Sequence, residues 1–259
     1  MDTGLVPKVS VLLMVYNEER QIRACLETVK WADEIVVCDS FSTDSTVAIC
    51  REYTDRIYQR KFDNFGDHKA WTLDKPSHEW VFFMEADERM SCALREEIRE
   101  RLARRECCDG YWIPYENFFF GRRLRGRFWQ TRRIKLYRKE KGSWEKKLVH
   151  VNFILRGEAG LLQNPLHHYP YQTLSHWLRK FDYNTSFMAE ERLRRGERVS
   201  GCGVLRVLAG IPRMFYLFYV DRQDYKSGWA GLAVSLLATF NEPVAYAKFF
   251  AGRCLCARR

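Results

Sequence analysis

The chain has 259 residues, of which 46% are hydrophobic and 29% charged; this composition marks a globular protein and excludes a disordered or low-complexity one. Its formal net charge is +10, so an anionic partner is expected: nucleic acid, a phospholipid surface or a phosphorylated substrate. The nine cysteines include no CxxC pair, which argues against a zinc ribbon and for reduced thiols in the cytosol. The opening MDTGLVPKVSVLLMVYNEER has no basic stretch ahead of its apolar run, so no signal peptide is expected.

In chain order, KVSVLLMVY is a continuous apolar run that suits a strand covered on both faces. NEERQIRACLETV follows with Ile22, Cys25, Leu26 and Val29 at helical spacing. ADEIVVCDS predicts a second buried strand, and STDSTVAICREY a helix opened by capping residues. DRIYQR predicts a short third strand, HKAWTLDKP a helix halted near Pro76, and EWVFFMEAD the next strand. SCALREEIRERLARRE predicts a helix capped by Ser91. The alternation predicts an α/β fold with a mostly parallel sheet flanked by helices. Beyond about residue 107 the chain turns aromatic and basic, as strands and loops, with a helix from about Thr173.

The tail from Val204 to Phe250 predicts two helices. VLRVLAGIPRMFYLFYV is interrupted by Arg206, Pro212 and Arg213, and GWAGLAVSLLATF is shorter than the ~20 residues a spanning helix needs. Two readings stand side by side. The helices pack on protein, or they lie in a lipid interface with Arg206, Arg213, Arg222, Lys226, Lys248 and Arg253 toward headgroups. A membrane-spanning chain is not expected.

Ligands of parallel sheets bind at the carboxyl ends of the strands. Three predicted strands end in polar residues: Asn17 with Glu18, Asp39 with Ser40, and Glu85 with Asp87. Alternation puts residues 85 and 87 on one side, where two carboxylates suit magnesium or manganese. Asp39 can accept hydrogen bonds from a ribose or a base N–H. Among the six histidines, His168 in HHY offers a further imidazole ligand. Arginines alternate with aromatics from Arg122 to Arg138, but no nucleic-acid-binding signature is present, so nucleic acid is not expected as a partner.

The stretches VSVLLMVYNEERQIRACLETVKWADEIVVCDSFSTDST, NFGDHKAW and EWVFFMEADERM resemble family-2 glycosyltransferases of the GT-A fold. The resemblance is to bacterial lipopolysaccharide-core glucosyltransferases in particular, and IKLYRKEKGSWEKKLVHV and LHHYPYQTLSHWLRKFDYNTSFMAEE extend it over most of the chain. It implies a nucleotide-sugar donor, UDP-linked, with manganese or magnesium. Val15, Tyr16 and Glu18 would line the nucleotide pocket, Asp39 with Ser40 would meet the base or ribose, and Lys69 would help hold the nucleotide. Glu85 and Asp87 fall on the Asp-x-Asp motif and, with His168, form the implied metal set. Glu85 departs from the usual Asp by one methylene. Val151 stands where relatives commonly carry Glu, which leaves Glu145, Glu88 and Glu116 as candidates to take the acceptor proton.

On this resemblance residues 1–200 form the GT-A domain, divided into a nucleotide-sugar half (1–106) and an acceptor-side half (107–200), followed by an amphipathic helical segment (201–259). The implied activity is inverting hexose transfer to a saccharide or glycolipid in cell-envelope synthesis, by a cytoplasmic enzyme peripheral on the inner membrane face. A polyprenyl-phosphate sugar transferase and a catalytically weak nucleotide-sugar-binding protein are the rivals. The sequence leaves oligomerisation open.

Overall fold

The computed structural model describes residues 6–104, 107–145, 151–171, 173–198 and 201–256. The elements are β1 (Val9–Val15), α1 (Ile22–Glu27), β2 (Glu34–Asp39), α2 (Thr46–Arg51), β3 (Ile57–Gln59), α3 (Phe65–Thr72), β4 (Trp80–Glu85), β5 (Glu88–Met90) and α4 (Cys92–Ala103). They continue as β6 (Gly110–Phe119), β7 (Arg122–Arg123), β8 (Arg132–Arg138), β9 (Gly142–Trp144), β10 (Phe153–Leu155), β11 (Ala159–Leu161), β12 (Leu166–Tyr171), α5 (Leu174–Arg194), α6 (Gly201–Tyr216) and α7 (Trp229–Cys256).

The main sheet runs β3-β2-β1-β4-β8-β6-β12-β5. Its first four strands are parallel, and β8 then joins β4 antiparallel. This is the α/β arrangement expected from the sequence, but the sheet is mixed rather than mostly parallel, because β5, β7 and β8 all pair antiparallel. Alternation along the parallel strands builds two cores. Val9, Val11, Leu13 and Val15 of β1 pack on one face with Val37 and Phe82, while Leu12 packs on the other with Val36, Cys38 and Phe83. Fully burying a side chain of this kind stabilises the fold by about 1.5–3 kcal/mol. That explains the unbroken apolar runs, because a strand with both faces covered has no side chain to give to water.

Local chemistry sets the helix starts. Ser91 Oγ accepts the Leu94 N–H at 3.1 Å at the head of α4, as its position before an apolar periodic run predicts. Asn64 Oδ1 accepts the Asp67 N–H at 2.9 Å, so α3 starts three residues before the HKAW stretch. At α2 the Asp44 carboxylate accepts the Thr46 N–H at 2.9 Å.

The chain forms two compact units: residues 1–116 with 131–168, and residues 117–130 with 169–259. Residues 169–200 thus group with the C-terminal helices. In the second unit, Phe119, Leu124, Trp177, Ala230 and Val234 form one core, and Ala189, Tyr246 and Phe249 form another. Asp224 is buried there, and a Cβ on Gly126 would fall 1.8 Å from its Oδ1, so only glycine fits at 126. Helix α6 continues through Pro212. The 19 residues Gly203–Asp221 are long and apolar enough to cross a membrane by length and composition, with mean hydropathy 1.3 and none of that window buried. The sequence reading had taken Arg206, Pro212 and Arg213 as interruptions; the helix absorbs all three.

Candidate active site

β1 is flanked by β2 and β4, with Val15 opposite Asp39 and Met14 opposite Glu85. The three polar strand ends therefore share one edge of the sheet. The first two are tied together. Asn17 adopts a positive φ of 53°, which asparagine tolerates better than most residues. Its Oδ1 accepts the Thr43 N–H at 2.8 Å, and its own N–H donates to Ser42 Oγ at 2.9 Å. The Glu18 N–H donates to Thr46 Oγ1 at 2.8 Å. Tyr16 is 57% exposed on this rim. Val15 does not offer its side chain to a pocket: it is buried in the core, and its carbonyl accepts the Ser40 N–H at 3.0 Å.

Asp39 is fully buried and accepts from the Ser42 N–H at 3.1 Å and the Gln59 amide at 2.9 Å. Its neighbour Ser40 lies 3.2 Å, Oγ to Nε2, from His68. His68 is buried; burial, with Arg60 nearby, holds its imidazole below the usual histidine range and so neutral. Its Nδ1 is buried without a hydrogen-bond partner.

Lys69, on α3, lies 3.5 Å from Glu85 and 4.5 Å from the centroid of the Trp144 ring. Burial lowers the Lys69 ammonium from the usual lysine range, against the opposing pull of Glu85. Burial pushes the Glu85 carboxyl up, but Lys135 and Lys69 together outweigh it, and the net displacement is downward. Glu85 therefore stands as a carboxylate facing a largely buried lysine.

Glu88 is not available as a proton acceptor. It is fully buried, and its carboxylate takes the Lys135 ammonium at 2.8 and 3.0 Å, the Tyr115 hydroxyl at 2.5 Å and the Glu85 N–H at 2.9 Å. That network fixes the turn carrying Asp87. Short β5, for which the sequence reading named no element, pairs antiparallel with β12 and sets His168 opposite Glu88. His168 Nε2 thereby comes 3.5 Å from Asp87 Oδ2. On the opposite face of β12, His167 Nε2 is 3.5 Å from Glu116 Oε2. Glu145 closes the β9–β10 hairpin by accepting from the Asn152 N–H at 3.2 Å and its side-chain amide at 3.1 Å. His150 lies outside the described residues.

Among the described residues no group of three or more His, Cys, Asp or Glu side chains forms a metal cage. The expected set of Glu85, Asp87 and His168 resolves into an Asp87–His168 pair and a Glu85 drawn to Lys69. One carboxylate oxygen and one imidazole nitrogen still fit a divalent ion of the kind whose shell is completed by substrate phosphates and water.

Sequence reasoning missed Gln59, His68, Lys135 and Trp144. Lys135 sat unmarked in a basic run, and only the insertion of β8 beside β4 shows that it is buried. His68 was counted among six histidines without a role, although its place beside Lys69 was a usable signal.

Among curated proteins, the chain is 26% identical to the lipopolysaccharide core biosynthesis glycosyltransferase LpsC of Rhizobium meliloti, over 98% of this chain and 97% of that one. It is 24% identical to an uncharacterized glycosyltransferase of Rickettsia typhi, over 90% of this chain and 83% of the relative. Among solved structures, Staphylococcus aureus TarS 1-349 in complex with UDP-GlcNAc matches 93% of this chain and 88% of that one at 13% identity, with a TM-score of 0.48. Glucosyl-3-phosphoglycerate synthase of Mycobacterium tuberculosis, in complex with Mg2+ and UDP, matches 44% of each chain at 21% identity, with a TM-score of 0.34. The family model of Glycosyl transferase family 2 matches residues 10–159, more than half the length and all of the strand ends described above, and the chain belongs to that family.

Proposed function

We propose that the chain transfers a hexose, with inversion, from a UDP-linked donor to a hydroxyl of a saccharide or glycolipid acceptor in lipopolysaccharide or related cell-envelope synthesis. The observation that carries this reading is the shared polar edge of β1, β2 and β4, bounded by Lys69 and the Asp87–His168 pair, in a family-2 chain. The likeness to LpsC along nearly the whole chain supports the choice of acceptor. Asp87 and His168 would hold a manganese or magnesium ion, which when bound neutralises charge on the leaving diphosphate. Lys69, braced by Trp144, faces the same edge and offers a cation to the donor phosphates. Val151 cannot accept a proton. We assign that task to Glu145, which directly follows Trp144, the ring 4.5 Å from Lys69. The test is transfer from UDP-hexoses with and without manganese. Asp87→Ala is expected to lower turnover at least a hundredfold, and full activity in that variant would overturn the site.

The second unit supports a lipid-surface acceptor. It carries eighteen Lys and Arg against seven Asp and Glu, a net +11, and leaves the first unit at −1. On α6, Leu205, Leu208 and Tyr216 are 68%, 53% and 62% exposed at positions i, i+3 and i+11, which share a helix face. An apolar stripe on a strongly basic unit suits an anionic bilayer surface.

A further inference from the structure

Asp39 is the residue expected to meet the donor base, yet its side chain has no exposure. Its two oxygens already accept from the Ser42 N–H at 3.1 Å, the Ser42 hydroxyl at 2.5 Å and the Gln59 Nε2 at 2.9 Å. A carboxylate only accepts, so the Gln59 amide must turn its nitrogen toward Asp39, and Oε1 is fixed at the other end of the amide. Gln59 itself is exposed. It is the last residue of β3 and the register partner of Asp39 in a parallel pair, so it stands on the same face at the ligand-binding end of the sheet.

We propose that Gln59, held in one amide orientation by Asp39, is the residue that reads the donor base and selects uracil over cytosine. The inference rests on the nucleotide-sugar reading above. A primary amide presents an acceptor and a donor side by side, because one N–H remains when the other is given to Asp39. Uracil presents N3–H beside O4, and cytosine presents N3 beside N4–H, so the two bases carry opposite patterns at the same ring positions. An amide free to flip pairs with either. An amide locked by a buried carboxylate pairs with one, and the other base meets donor against donor and acceptor against acceptor. Asp39 is then a positioning residue that acts through Gln59.

The experiment is calorimetric titration of the full chain with UDP and CDP in the presence of manganese, for the wild type, Gln59→Met and Asp39→Asn. Gln59→Met removes both polar atoms at similar length; because it also takes one donor from the buried Asp39, its melting temperature is measured beside the binding, and the Ser42 N–H and hydroxyl still serve the carboxylate. The wild type is expected to bind UDP at least about tenfold more tightly than CDP, the value of one net hydrogen bond made against one lost. Gln59→Met is expected to bring the two within about twofold. Asp39→Asn, which permits the flip, is expected to narrow the ratio by gaining CDP rather than by losing both. A wild type without preference, or a Gln59→Met variant that keeps it, overturns the inference alone. A wild type that binds neither nucleotide overturns the nucleotide-sugar reading as well.

Discussion

Lys135→Met should unfold much of the first unit's margin of stability. The Glu88 side chain is 0% exposed and that of Lys135 4%, so neither charge is relieved by water. Both Glu88 oxygens accept from the Lys135 ammonium, and the Tyr115 hydroxyl and Glu85 N–H complete the carboxylate's bonds. Removing the lysine leaves a buried carboxylate with neutral donors only, which costs about 3–5 kcal/mol. Against a total of about 5–15 kcal/mol for a domain, that is a large fraction. Glu88→Gln strands the ammonium instead and should cost a similar amount. The double variant buries no charge, and its amide can still accept from Tyr115 and Glu85, so it should lose at least about 2 kcal/mol less than the sum of the singles. Urea unfolding followed by circular dichroism measures all three. Single losses below about 1 kcal/mol, or an additive double variant, would refute the claim that this pair fixes the Asp87 turn.

Two further outcomes concern the second unit. Burial pushes the Asp224 carboxyl up to about 6, only partly offset by the Ser235 hydroxyl, which donates to it at 3.2 Å, by the nearby Trp129 indole and by the charge of Arg222. A carboxyl raised in the folded state stabilises the fold below its unfolded pKa near 3.9 and loses that contribution as pH rises through 6, by about 3 kcal/mol in all. Asp224→Asn should flatten the dependence of melting temperature on pH between 4 and 7, and an unchanged slope would discard the assignment. The full chain should sediment with vesicles rich in phosphatidylglycerol and not with neutral phosphatidylcholine vesicles, and should release as salt rises, since surface charge is screened within about 8 Å at physiological ionic strength. Leu205→Asp with Leu208→Asp should weaken that binding. Equal partition onto both vesicle types would remove the lipid-surface reading.

Much of the edge was legible before any coordinates. The apolar runs ending at Tyr16, Asp39 and Glu85 announce buried strands by composition alone, and parallel strands place their carboxyl ends together whatever the loops do. Ser91 was legible as a cap for the same reason, because the cap is a contact three residues away. Glu88 was not. Next to Asp87 in sequence it reads as a candidate to take the acceptor proton, but β5 turns it inward onto Lys135, 47 residues on. The Asp87–His168 pair needs the β5–β12 register, which a three-residue strand does not advertise.

The sequence by itself determined the α/β alternation, the family and the edge at which the polar strand ends gather, because periodicity, caps and strand-end polarity are local properties of the chain. Only the tertiary structure decided which partner each carboxylate meets. Glu85, Asp87 and Glu88 lie within four positions, yet one faces Lys69, one His168 and one Lys135. The partners come from three distant strands and helices, and a carboxylate's chemistry is set by the charge it meets and the water it loses.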